Sequence, residues 1–157
     1  MPYNAIKIAN AFIAKDAQDG GAGLTPMQLI KLVYIAHGWS FVFNNGPLLN
    51  ETAQAWQYGP VVPSLYAAVS PFRGQPISVA LPGDNDPTPL DPRSCELVDA
   101  VYDRYKHLSG TQLSALTHQP NTPWSIVWAQ AGRNAPIPDP LIEQHYKHRY
   151  AEMMQGA

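Results

Sequence analysis

Residues 24–43 constrain the fold more than any other segment, because they form the longest strongly apolar stretch and begin with clear helix-start signals. Thr25 is a good N-cap, and Pro26 occupies the first helical position. Gln28 lies three residues after Thr25, which is the spacing of a capping box. These signals predict a helix that begins at Pro26 and continues to the end of the apolar stretch.

A helix over residues 26–43 carries apolar side chains around almost its whole circumference and leaves only a narrow polar strip. Such a helix is either a core helix of a globular protein or a membrane span. Lys31 and His37 lie in the middle of the segment, and its length falls short of the ~20 residues that a span needs. We therefore expect a buried central helix around which the rest of the chain packs.

The composition is typical of one globular domain covering residues 1–157. Apolar residues make up 45% of the chain and charged residues only 14%, which argues against a disordered chain. The net charge of -2 and the pI near 6.2 provide no electrostatic footprint for nucleic acid, so a nucleic-acid partner is not expected. So few charges also indicate that a partner covers part of the surface, and a homo-oligomer is one form of this.

The sequence lacks the features that indicate secretion, membrane insertion or cofactor chemistry. Cys95 is the single cysteine, so neither a disulfide framework nor a thiolate metal cluster can form within one chain. The first residues lack a signal-peptide pattern, and no segment is predicted to span a membrane. We therefore expect a cytoplasmic protein with no membrane partner. A Gly-rich phosphate loop and a G-x-S-x-G elbow are both missing, and we expect no cofactor.

Capping residues followed by proline predict most of the other helices, so the predicted fold is mainly α. The predicted helices cover residues 5–17, 64–70, 92–108, 111–117 and 123–131, and a last helix begins at Asp139-Pro140. The segments 48–58 and 74–81 are β-prone, and we expect them to pair as a small two-stranded β element. The predicted architecture is a compact single-domain helical fold around a buried central helix.

A few isolated residues could carry chemistry, but each has a simpler structural explanation. His37 is either a buried general base or, as we favour, a core histidine with backbone or tyrosine partners. His118 lies in a turn between two short helices, where it either contacts a substrate or partner or ties the turn together. His145 and His148 are three residues apart on the last helix, but a solvated helix face is favoured because no further ligand completes a metal site. Cys95 lies in a first helical turn, which lowers a thiol pKa, but no base accompanies it.

One turn-rich segment concentrates rigid aromatic and pyrrolidine side chains at Trp56, Tyr58, Pro60, Pro63 and Tyr66. Trp and Tyr are frequent interface anchors, and prolines reduce the entropy lost when such anchors are ordered. The alternative is that the aromatic rings pack inward on the central helix and the Gly-Pro pair merely turns the chain. The segment is therefore either a partner-binding surface or part of the core.

Three segments, in this order and spacing, resemble the Panacea antitoxin domain family, which includes SocA-type antitoxins and phage-associated proteins. They are LTPMQLIKLVYIAHGWSF, AWQYGPVVPSLY and LSALTHQPNTPW, and the resemblance covers about residues 5–130. The residues that carry it are Lys31, Leu32 and Tyr34 in the first segment, Trp56, Gly59, Pro60, Val61, Pro63, Leu65 and Tyr66 in the second, and Thr117, His118, Pro123 and Trp124 in the third. Each segment alone is a weak signal, but the ordered set is specific.

The resemblance implies a non-enzymatic bacterial or prophage protein that neutralises a toxin by binding it. Members of the family neutralise diverse toxins, often ones that stop translation or replication, and at least one resembles a degradation adaptor that hands its toxin to a AAA+ protease. We therefore expect a protein toxin encoded next to this chain as the partner, and a AAA+ protease as a further partner if the chain acts as an adaptor. No catalytic or metal-binding residue is expected. From exposed anchor chemistry, the expected partner-binding residues are Trp56, Tyr58, Gly59, Pro60, Pro63, Tyr66, His118 and Trp124.

Two other functions remain as alternatives. A small hydrolase or metal-dependent enzyme would use His118 together with His37, which requires both imidazole rings to lie in one cleft. A nucleic-acid-binding regulator would need a basic patch, which the acidic balance of the chain disfavours.

Overall fold

The computed structural model describes residues 2–156, which form seven α-helices and a three-stranded antiparallel sheet. The helices are α1 (Ala5–Gln18), α2 (Pro26–Phe43), α3 (Pro63–Val69), α4 (Pro92–Tyr105), α5 (Gly110–Thr117), α6 (Pro123–Ala131) and α7 (Asp139–Gln155), and a 3-10 turn, Ser70–Phe72, follows α3. The strands are β1 (Gln54–Trp56), β2 (Gly59–Val61) and β3 (Ala135–Pro136). The predicted mainly α fold is confirmed, and the helix boundaries agree with the predicted ones to within three residues.

Helix α2 is the buried central helix that the sequence predicts. The Thr25 side chain accepts a hydrogen bond from the backbone N–H of Gln28 (3.2 Å), and the Gln28 side chain accepts one from the Thr25 N–H (2.8 Å), so the capping box forms. Every residue from position 29 to position 41 is buried. Helices α1, α3, α4, α5 and α7 and strand β2 all contact α2. No described helix combines the length and the apolar character that crossing a membrane requires.

The glycine in the middle of α2 allows α7 to pack closely. A Cβ atom at Gly38 would lie 2.2 Å from the ring of Tyr146, which is buried on α7. The neighbouring Trp39 ring meets the same tyrosine edge to face, with the ring centroids 5.0 Å apart. Close approach of the two helices therefore requires glycine at this position.

The sheet has the order β2-β1-β3. Strands β1 and β2 form a hairpin in which Trp56 pairs with Gly59 across the two turn residues Gln57 and Tyr58. Gly59 has φ of +115°, a backbone conformation that glycine adopts without strain. We refer to residues 54–61 as the hairpin.

The predicted pairing of segments 48–58 and 74–81 is wrong, although the small β element itself exists. Strand β1 lies inside the segment 48–58, but it pairs with β2 and β3 and not with the segment 74–81. Ile77 instead forms an isolated antiparallel bridge with Leu24, in which the two backbone nitrogen-to-oxygen distances are 2.7 and 3.1 Å. A tight turn makes the segment nearest in sequence available for pairing with β1. Ile77 pairs with Leu24, just before α2, and its side chain is buried in the core.

Candidate partner-binding site

The three sequence segments that resemble the Panacea family meet at the hairpin. The carbonyl oxygens of three alternate hairpin residues each accept a hydrogen bond from a side chain of a different helix. The donor and acceptor pairs are Trp124 Nε1 with the Trp56 oxygen (2.7 Å), Ser114 Oγ with the Tyr58 oxygen, and Lys31 Nζ with the Pro60 oxygen (2.9 Å). Helices α6, α5 and α2 thus hold the hairpin at three successive points, so its tip is fixed relative to the helical core.

Lys31 is the most deeply buried of the three donors, with a side chain that is 0% exposed. Burial lowers the pKa of its amine from 10.5 to about 7, because the charged form loses its hydration. No described carboxylate pairs with it, and the Pro60 oxygen is its one hydrogen-bond acceptor among the described residues. A Cβ atom at Gly59 would lie 2.9 Å from the Lys31 Nζ, so glycine at this position also leaves room for the amine.

The outer side of the hairpin presents aromatic side chains to solvent. Tyr58 at the tip is 63% exposed, and Tyr66 on α3 is 44% exposed. The half-buried Trp56 ring packs against Tyr66 with the centroids 4.9 Å apart. Rigid, exposed aromatic side chains of this kind are typical anchors of protein interfaces.

An open groove runs between the hairpin, α2, α3 and the turn that precedes β3. Its apolar lining consists of Met27, Ile30 and Val61 together with the rings of Trp56, Tyr58 and Tyr66. Lys31 and the exposed Arg133 also line it, and its volume is about 340 Å³. We refer to it as the hairpin groove. A single side chain or a short peptide segment would fit a groove of this size.

His118 ties its own turn together, as the structural explanation predicts. Its Nδ1–H donates to the Ser114 carbonyl oxygen, and its ring meets the Trp124 ring edge to face, with the centroids 5.2 Å apart. Trp124 in turn stacks on Trp128 at 5.1 Å. His118 therefore supports the tryptophan that holds the hairpin.

His37 lies in a different environment and is a core histidine. The backbone N–H of Leu49 donates to its Nδ1 (3.1 Å), so the proton resides on Nε2, which donates to the Asp139 carboxylate (3.0 Å). The structure gives it a backbone partner, as expected, but a carboxylate rather than a tyrosine as the second one. Within the described residues His37 and His118 share no hydrogen-bond partner and no ring contact, so the hydrolase alternative lacks an assembled pair.

The remaining isolated candidates do not form a site either. Burial and the carboxylates of Asp99, Asp91 and Glu96 raise the pKa of the Cys95 thiol, which opposes the lowering that a first-turn position favours. His148 faces Glu152 at 3.8 Å on the surface of α7. Across residues 2–156, no group of three or more His, Cys, Asp or Glu side chains could hold a metal ion.

The structure divides the eight residues expected to bind a partner into three groups. Tyr58 and Tyr66 are exposed, Trp56, Pro63 and His118 are half-buried, and Gly59, Pro60 and Trp124 are buried. The buried members shape the hairpin or hold it in place and do not present a surface. The sequence analysis did not predict a role for Ser114 or Arg133, nor the contact between Lys31 and the hairpin. A lysine in the middle of an apolar helix was nevertheless a signal for the contact of Lys31.

The family model described as "Antitoxin SocA-like, Panacea domain" matches residues 29–125. The chain belongs to this family. The matched range begins two residues before Lys31 and ends one residue after Trp124, so it encloses all three side chains that hold the hairpin. The hairpin with its three tethers is therefore part of the Panacea domain itself.

A curated relative of this Panacea-domain chain is the Antitoxin SocA of Caulobacter vibrioides (strain NA1000 / CB15N). It is 27% identical over 142 residues, and the alignment covers 81% of this chain and 72% of the relative. No solved structure matches the chain significantly.

Proposed function

We propose that this Panacea-domain protein is a non-enzymatic, cytoplasmic antitoxin that binds a protein toxin directly through the outer side of the hairpin. The proposal assigns the activity to residues 1–157 as a single domain and the toxin to the adjacent open reading frame. Membership of an antitoxin family and the relationship to Antitoxin SocA support the antitoxin role. The observation that carries the choice of surface is a pair of exposed aromatic side chains. Tyr58 lies at the tip of a hairpin that three helices hold, and Tyr66 lies on the adjoining helix α3.

Rigid presentation is the physical reason for choosing this surface. A flexible loop loses conformational freedom when it binds, and this loss reduces the affinity. The hairpin has already lost that freedom on folding, because each of its alternate carbonyls at positions 56, 58 and 60 is bonded to a helix. Burial of the Tyr58 and Tyr66 rings by a partner would therefore contribute to affinity with little ordering cost.

Coexpression with the adjacent gene tests the proposal. The neighbouring product should arrest growth when it is produced alone, and the wild-type protein should restore growth. The Tyr58→Ala variant should restore growth poorly, because it removes an anchor that is 63% exposed and contributes little to the core. Binding of the two purified proteins, measured by calorimetry, should weaken in parallel.

Val79→Ala is the matched control, because Val79 is an apolar side chain of almost equal exposure, 64%, outside the hairpin. It should neutralise as well as the wild type. Direct neutralisation is wrong if the neighbouring product is harmless alone, or if it is equally lethal with the wild-type protein present. Neutralisation that disappears in a host lacking its AAA+ proteases would indicate delivery for degradation in place of direct inhibition.

A further inference from the structure

Acidic residues are distributed very unevenly along the chain. The 12 Asp and Glu residues outnumber the 10 Lys and Arg residues, yet none of them occurs in residues 20–50, 52–83 or 104–138. Every residue that lines the hairpin groove comes from one of these three stretches. The described residues that line the groove therefore include no carboxylate, although the protein as a whole is acidic.

Arg133 gives the groove a positive charge that no carboxylate of residues 2–156 compensates. Arg133 is exposed beside the groove and forms no ion pair or side-chain hydrogen bond with any residue from 2 to 156. Lys31 lies buried in the lining with a carbonyl as its partner and no carboxylate. An arginine that no described carboxylate neutralises, next to exposed aromatic rings, is suited to pair with a carboxylate from another protein.

The apolar lining of the groove favours a protein segment over nucleic acid as the partner. Met27, Ile30 and Val61 and the three aromatic rings favour a side chain that removes apolar surface from water. Nucleic-acid binding normally depends on several cations that contact successive phosphates. Among the described lining residues of the groove, by contrast, Arg133 is the one exposed cation. A protein segment fits this combination better than a phosphate backbone does.

We propose that the hairpin groove receives a toxin segment in which an apolar side chain lies next to an Asp or Glu, and that this carboxylate pairs with Arg133. This inference rests on the proposed function and specifies the chemistry of its partner. The apolar side chain contacts the Tyr58 and Tyr66 rings, while the guanidinium group selects the acid. The acid-free stretches of the chain then serve to avoid repulsion of an acidic partner surface.

Charge reversal of Arg133 tests the inference. Purified Arg133→Glu should bind the product of the adjacent gene at least about tenfold more weakly than the wild type, chiefly through slower association. Arg133→Lys should retain most of the binding, and wild-type affinity should fall as salt concentration rises. Because Arg133 is exposed, the thermal midpoint of each variant should match that of the wild type.

Arg73→Glu is the control, because Arg73 is an exposed arginine in another of the three acid-free stretches but does not line the groove. It should bind like the wild type. Replacing single Asp or Glu residues of the toxin by Lys should identify one position that restores binding to Arg133→Glu.

The inference is overturned if Arg133→Glu binds as tightly as the wild type, or if binding needs nucleic acid and is lost after nuclease treatment. These outcomes differ from failure of the proposed function. If the wild-type protein neutralises the toxin and Arg133→Glu does so equally, only the acidic partner segment is wrong. If the wild-type protein fails to neutralise, the antitoxin proposal itself fails.

Discussion

At the scale of single residues, Lys31 is a buried amine with no described carboxylate partner. A buried amine with one carbonyl partner and no counter-ion is normally destabilising, because the loss of hydration exceeds the gain from one hydrogen bond. The lowered pKa of about 7 expresses this cost. In exchange, the amine fixes the Pro60 carbonyl and with it one end of the hairpin.

Lys31→Met should remove a component of the pH dependence of stability. In the wild type the pKa of Lys31 is about 7 in the folded protein and near its ordinary value of 10.5 in the unfolded chain. Between these two pH values the unfolded chain therefore binds more protons than the folded protein. The free energy of unfolding therefore rises with pH across this window, by roughly 5 kcal/mol at most. Urea denaturation at pH 7 and pH 9.5 should show a smaller rise for Lys31→Met than for the wild type.

The control for this experiment is Lys147→Met, since Lys147 is an exposed lysine on α7 that pairs with Glu143. It should keep the pH dependence of the wild type. An unchanged pH dependence in Lys31→Met would contradict the assignment of a lowered pKa to the buried amine.

At the scale of elements, the hairpin depends on glycine at its second strand. Gly59→Ala would place a methyl group at a φ of +115° and 2.9 Å from the Lys31 Nζ. We expect it to lower the free energy of unfolding by about 1–3 kcal/mol, because an L residue at this φ is strained. Gly46→Ala, where no atom lies within 4 Å of the added Cβ, should change stability by less than about 0.5 kcal/mol. Equal midpoints of the two variants in urea would show that the hairpin tolerates the strain.

The helices and strands also show which sequence signals are sufficient to predict the structure. Helix starts were predictable because caps such as Thr25 and Asp91 act on their own first turn, and both side chains accept the expected backbone hydrogen bond. The strand that pairs with β1 was not predictable, because β-propensity identifies a strand but not the strand next to it. The same holds for the site. Residue type marked Tyr58 as a candidate anchor, but only the structure shows that its side chain is exposed. The donors Ser114 and Trp124 reach the hairpin from 56 and 68 residues away in the sequence, and no local pattern indicates such contacts.

At the scale of the whole molecule, α2 organises the fold, since five other helices and one strand contact it. Leu32→Ala removes a side chain that is 1% exposed, and we expect it to lower the free energy of unfolding by about 2–5 kcal/mol. Met154→Ala, at a position that is 59% exposed, should have almost no effect. Chemical denaturation at constant pH measures both. A loss below about 0.5 kcal/mol for Leu32→Ala would contradict the central position of α2.

The three tethers of the hairpin limit how small a working fragment can be. A synthetic peptide of residues 54–61 would contain the anchor Tyr58 but none of the donors at positions 31, 114 and 124. Grafting these eight residues onto another scaffold would lose the shape for the same reason. A miniaturised binder would have to retain α2, α5 and α6, which lie at the two ends of the range that the family model matches.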